Sequence, residues 1–160
     1  VNVTYALQPL PKALFLAGPT PRSMTVESWR PAAVRLLRDV LHFDGTVYVP
    51  ESEDGKPHNE YDHQVSWEWE ALNRATIVVF WVPRDLVDMP AFTTNVEFGL
   101  LATSGKLVLG APPSAKKMGY LKALAARYNI PVFDSLHDTL HEAVRRTRRT
   151  YGRFESESTN

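Results

Sequence analysis

Thr76-Ile77-Val78-Val79-Phe80-Trp81-Val82 is an unbroken apolar run rich in β-branched and aromatic residues, and it is the clearest strand in the chain. Eleven residues with two prolines follow it, and Thr94-Asn95-Val96-Glu97 then reads as a Thr-x-x-Glu capping box opening a helix that runs to Ser104 and stops at Gly105. Four more pairs of the same kind surround this one. Ala13–Ala17 is a buried strand ending in Gly18-Pro19-Thr20-Pro21, and the helix after it carries Pro31 in its first turn and Ala33, Leu36, Leu37, Val40 and Leu41 on one face. Thr46–Val49 is a strand closed by Pro50, an acidic loop spans 51–62, and a helix covers Gln64–Ala75. Lys106–Gly110 precedes a helix over Ala115–Tyr128 with Ser114 as its cap, and Ile130–Phe133 precedes a last helix capped by Ser135. Leu136, Leu140, Ala143, Val144 and Tyr151 share one side of that last helix.

Strand followed by helix, five times over, implies an α/β domain with a parallel sheet between two helical layers. The expected form is the flavodoxin-like doubly wound five-stranded sheet of order 2-1-3-4-5, whose ligands sit beyond the carboxyl ends of the strands. That places 18–24, 50–62, 83–97, 111–114 and the neighbourhood of 134 around a site. One domain over 1–152 and a polar tail over 153–160 account for the chain.

Composition narrows the class. In 160 residues, 18 Lys+Arg balance 18 Asp+Glu, which argues against a dedicated nucleic-acid polymer or membrane-surface binder. There is no cysteine, so disulfides, thiolate metal sites and cysteine nucleophiles are excluded together. No apolar stretch reaches the length of a membrane span and no signal-peptide pattern opens the sequence, so the expected compartment is the cytoplasm.

Several residues carry possible chemistry beside a plainer reading. Glu97 stands at a helix start next to the crevice, as the partner of a capping box or as a catalytic carboxylate. Glu68 and Glu70 flank Trp69 and point different ways, so one of them can turn towards the crevice. Two carboxylates on one cleft suit glycosidic chemistry, in which one attacks or stabilises an oxocarbenium-like centre and the other handles a proton. Tyr61, Trp67, Trp69, Trp81 and Phe92 offer stacking surfaces for a planar ligand, with core packing the better account of Trp81. The Gly18–Arg22 turn lacks the glycines and lysine of a polyphosphate loop, although Arg22 can meet a single phosphate or a base carbonyl. His137 and His141 copy the spacing of a zinc helix without a third ligand, and the arginines at 145, 146, 148, 149 and 153 read as a solvated helix end before a nucleic-acid stripe.

Taken in order, Phe15–Arg22, Ser28-Trp29-Arg30, Gln64 with Trp67-Glu68, Phe80–Asp85, Thr93-Thr94-Asn95-Val96-Glu97-Phe98-Gly99 and Val108–Pro113 resemble the nucleoside 2-deoxyribosyltransferase-like proteins over residues 13–125. The resemblance implies retaining transfer of 2-deoxyribose between nucleobases, with a deoxynucleoside and a free base as partners and no cofactor or metal. Glu97 then stands where the family carries its nucleophile, and Glu68 where it carries an acidic residue at the base. Glu68 or Asp85 is the expected proton shuttle. Gly18, Pro19, Thr20, Arg22, Trp67, Phe92, Thr93, Thr94 and Asn95 are the expected substrate-binding residues. Family members are homo-oligomers whose neighbours complete the pocket. Relatives of the better-known branch hold the sugar 5′-hydroxyl with an aspartate about six residues before the nucleophile, whereas this chain has Met89-Pro90-Ala91-Phe92-Thr93 there. That departure leaves a nucleoside 5′-monophosphate, with Thr93 and Thr94 on its phosphate, as the alternative substrate, and N-glycosidic hydrolysis or nucleotide sensing as alternative functions.

Overall fold

A computed structural model of the chain describes residues 12–23, 25–52 and 61–157, with side chains up to 150 except at 61 and 62. Its sheet has five parallel strands, β1 (Ala13–Ala17), β2 (Thr46–Tyr48), β3 (Ile77–Trp81), β4 (Leu107–Gly110) and β5 (Val132–Phe133), in the order β2-β1-β3-β4-β5. The expected flavodoxin-like α/β architecture is therefore present. The acidic loop read over 51–62 lies mostly outside the described residues.

Alternation along the strands divides the core into two layers. Phe15, Val78, Phe80, Leu107 and Leu109 face one side, where α2 (Tyr61–Arg74), α3 (Phe92–Leu101) and α4 (Gly119–Arg127) supply Ala71, Leu72, Phe98, Leu121 and Ala125. Leu14, Leu16, Ile77, Val79, Trp81 and Val108 face the other, against α1 (Arg30–Arg35) and α5 (Leu136–Glu157). Trp81 belongs to this second layer, as its place in the strand suggested.

Several helix boundaries differ from the sequence reading, among them the start of α2, which lies at Tyr61 and not at Gln64. The first helix ends in a π turn over Leu36–Val40, with the Leu41 N–H donating to the Leu36 carbonyl; this wider turn shifts the register, and Val40 faces solvent. α3 begins at Phe92, because Ala91 adopts a left-handed φ of 61° and turns the chain into the helix three residues before the expected cap. Thr94 is thus an interior helix residue, 1% exposed, and no capping box forms with Glu97. Ser114 caps nothing: the Ala115 N–H closes a turn on Pro112, Lys117 sits at φ 53°, and α4 starts only at Gly119. α3 stops at Leu101 rather than near Ser104, and α5 runs on to Glu157, beyond the expected end at Tyr151. The cap at Ser135 does form, its Oγ accepting from the Asp138 N–H at 3.0 Å and donating to the Asp138 carboxylate at 2.7 Å.

Candidate active site

A cavity of about 410 Å³ opens at the carboxyl ends of β1 and β3, between the turn after β1 and the facing stripes of α2 and α3. On α3, Thr93, Val96, Glu97 and Leu100 line it at i, i+3, i+4 and i+7, while Thr94 and Phe98 turn to the core. On α2, Gln64, Val65, Glu68 and Trp69 form the opposite wall. Phe15 and Ala17 close the floor, and Gly18, Pro19 and Thr20 form a third side. The turn can follow this path only with glycine at 18: its φ is 148°, and a Cβ there would stand 2.1 Å from the Trp81 carbonyl oxygen.

Glu97 and Glu68 therefore meet across one cavity. Burial pushes the Glu97 carboxyl up to about 7, the negative charge of Glu68 adds to that, and the positive charge of Arg30 opposes it. Glu68 accepts a hydrogen bond from the Gln64 amide at 2.8 Å, which fixes its direction one helical turn on. Glu70 points away and pairs with Arg74 at 2.6 Å on the exposed face. A pair of half-enclosed carboxylates, one of them protonated near neutral pH, is equipped for nucleophilic attack combined with proton transfer.

Of the expected site residues, Gly18, Pro19, Thr20, Glu68, Thr93 and Glu97 are brought together here. The others lie elsewhere. Asp85 accepts the Val87 and Asp88 N–H groups at 2.8 and 3.0 Å, and these bonds hold its carboxyl below the usual range; it shapes the loop after β3 and does not reach the cavity. Asn95 accepts from the buried Arg84 guanidinium, which also donates to the Lys117 carbonyl at 2.9 Å. Thr94 is enclosed in the core, and Arg22 lies over the exposed Phe92 ring, 5.3 Å from its centre, outside the cavity. Trp67 packs on Phe15 and Tyr48, with ring centres 6.4 and 6.3 Å apart, whereas Trp69 reaches the cavity rim.

Sequence reasoning did not select Arg30, Gln64, Val65, Val96 or Leu100 as site residues. Helical spacing from Glu68 and Glu97 was the available signal for all but Arg30. His137 and His141 stack face to face 6.2 Å apart on α5, and no group of three metal-ligating side chains occurs among the described residues.

A doubly wound α/β domain with two opposed carboxylates at the carboxyl edge of its sheet belongs to the proteins that handle small ligands at that edge. The chain is a member of the nucleoside 2-deoxyribosyltransferase-like family, whose sequence model matches residues 11–115, from just before β1 to the segment after β4. Membership implies small nucleoside ligands. None of the curated proteins compared with the chain matches it. Among the described residues, no helix is long and apolar enough to cross a membrane.

Proposed function

We propose that this domain is a nucleoside 2-deoxyribosyltransferase, an enzyme of cytoplasmic nucleotide salvage that moves 2-deoxyribose from one nucleobase to another with retention. The observation behind the reading is the Glu97–Glu68 pair in one cavity, with Glu97 pushed up to about 7. In the first step the proton held by Glu97 passes to Glu68, a Glu97 carboxylate oxygen bonds to C1′ as the C1′–N bond breaks, and Glu68 delivers that proton to the leaving base nitrogen. In the second, an incoming base attacks C1′ of the glycosyl ester, returns a proton to Glu68 and frees Glu97. Trp69, at the rim, offers its face to the base. The 2′-deoxy preference is electronic, since a 2′-hydroxyl withdraws density from the oxocarbenium-like transition state. No step calls for a metal or an organic cofactor.

A second copy of this chain is part of the proposal. Phe92, Val96 and Leu100 are 66%, 62% and 73% exposed and form one stripe along α3 at i, i+4 and i+8, with Val96 and Leu100 also lining the cavity. A neighbour seated on that stripe would close the open side and exclude water from the glycosyl ester. Leu100→Glu should then lower the assembly state in sedimentation analysis.

Hydrolysis of a deoxynucleoside 5′-monophosphate is the second reading. It is favoured by the start of α3, where no side chain caps the backbone N–H groups and Thr93 faces the cavity. Glu68 and Glu97 would oppose a phosphate dianion in the same space. Incubating one deoxynucleoside, or its monophosphate, with a different free base separates the readings. A new nucleoside means transfer, free sugar alone means hydrolysis, and tight binding without turnover means a sensing module. A 2′-fluoro-2′-deoxyarabino nucleoside should leave a sugar adduct on the peptide containing Glu97, and turnover with no adduct would count against the covalent step.

A further inference from the structure

Arg30 opens α1, yet its side chain points inward and is only 2% exposed. Burying a guanidinium is unfavourable unless its donors are met, and here four acceptors meet them. Nε donates to the Leu16 carbonyl at 3.0 Å and one terminal nitrogen to the Gly18 carbonyl at 2.6 Å. The other terminal nitrogen donates to the Thr20 hydroxyl at 3.0 Å and to the Glu51 carboxylate. Glu51 is held in turn by the Ser28 hydroxyl, 2.9 and 2.8 Å from its two oxygens. Between them, the Trp29 indole N–H donates to the Pro19 carbonyl at 3.2 Å, and the Arg30 guanidinium lies 4.9 Å over the Trp29 ring. Trp29 and Arg30 thus clamp the turn that forms one side of the cavity, and Ser28 holds the Glu51 that anchors Arg30. The turn needs such a clamp, because Gly18 has no side chain to pack and passes closely over the Trp81 carbonyl.

The same guanidinium also acts at a distance. Its charge favours the ionised form of Glu97, and the charges of Glu51, Glu68 and Glu97 act back on it, that of Glu51 most strongly. The charged groups facing Glu97 among the described residues are therefore Glu68 from α2 and Arg30 from α1, and Glu51, after β2, modulates Arg30.

We propose that Arg30, anchored by Glu51, is the positioning residue of this site: its planar fork holds the Gly18–Thr20 wall in place, and its fixed charge behind the Glu97–Glu68 pair presents Glu97 as a carboxylate to the sugar. The proposal rests on Glu97 being the nucleophile. Burial and Glu68 both keep a proton on Glu97, and a protonated carboxyl does not attack carbon. Arg30 is the opposing influence, and although it lines the cavity its donors are already taken by Leu16, Gly18, Thr20 and Glu51.

The test is the titration of the Glu97 side-chain carboxyl by carbon NMR in substrate-free protein, beside the kinetics of the same variants. In Arg30→Met the midpoint near 7 should move up by about half a pH unit or more, and in Glu51→Gln it should move down, since Arg30 then acts unopposed. Arg30→Lys keeps the charge but cannot span four acceptors. Its midpoint should stay near that of the wild type while KM rises about tenfold as the wall loosens. A purely structural residue would change stability in all three and shift the midpoint in none. Unmoved midpoints in folded Arg30→Met and Glu51→Gln, or a wild-type KM in Arg30→Lys, would overturn the proposal. Should Arg30→Met not fold, Glu51→Gln and Arg30→Lys decide it alone. The titration needs no turnover, so a wrong reading of Glu97 would show separately, as persistent activity in Glu97→Gln.

Discussion

The two ends of the sheet treat their charges differently. At the amino end, Lys106 donates to the carbonyls of Leu72, Asn73 and Ala75 at 2.6, 3.4 and 3.4 Å and so caps the C-terminus of α2. Arg146 donates to the Leu107 and Gly105 carbonyls at 2.6 and 2.9 Å and ties α5 to the start of β4. Both cations act on backbone oxygens. At the carboxyl end, Glu97 is half-buried and takes no hydrogen bond among the described residues, while a second carboxylate faces it. A charge held entirely by backbone partners serves the fold, and one left with open capacity in a cavity is available to a ligand.

The largest expected effect comes from removing that open capacity. Glu97→Gln keeps the shape of the side chain and cannot attack C1′, so base exchange should fall by about 10³-fold or more with the circular dichroism spectrum unchanged. Near-native exchange in this variant would break the distinction between the two ends. Glu68→Gln should cost about 10²-fold in kcat/KM as the proton shuttle is lost. It also removes a negative charge from beside Glu97, so the rising limb of the kcat/KM–pH profile, centred near pH 7 in the wild type, should move to lower pH.

Stability gives a third measurement, of opposite sign to activity. The Glu97 carboxyl is raised from 4.5 to about 7 in the folded state, so folding favours its protonated form. That contribution is fully present below about pH 4.5 and is lost as pH rises towards 7. Glu97→Gln should therefore be more stable than the wild type at pH 8, by up to about 3 kcal/mol in urea unfolding, and little different at pH 4. Equal stability at pH 8 would mean that the carboxylate is better solvated than its position indicates.

At the amino end the pattern should reverse. Arg146→Met should cost about 1 kcal/mol of stability, because a part-buried and an exposed carbonyl lose a charged donor, and leave kcat/KM unchanged. Smallest of all, Asp85→Asn should keep kcat/KM within about twofold, since this carboxylate serves a turn outside the cavity. A large loss of turnover there would return Asp85 to the chemistry.

Periodicity and punctuation were enough for the sheet. The β-branched run 76–82, the shorter runs around it and the Gly/Pro turns specify five parallel strands, because alternation and chain reversal are local properties of the backbone. The same local rules located Glu97 near the strand-three crevice and Ser135 as a cap. Caps that depend on a neighbour were not legible. Thr94-x-x-Glu97 satisfies the spacing of a capping box, but the left-handed Ala91 starts the helix earlier, so the rotation of α3 was decided by the loop. That rotation sends Thr94 into the core and Glu97 to the cavity. Asp85 looked suited to proton transfer and Asn95 to substrate binding in sequence, and only the fold shows one holding a turn and the other an arginine. Arg30 is the opposite case. A lone arginine at a helix start reads as a surface charge, and its burial depends on acceptors from Leu16, Gly18, Thr20 and Glu51, which approach only when β1, its turn and the end of β2 come together. The sequence by itself determined which elements form, since hydrophobic period acts over a few residues; which charges face each other was decided by tertiary structure, since Coulomb and hydrogen-bond partners are chosen by distance in space.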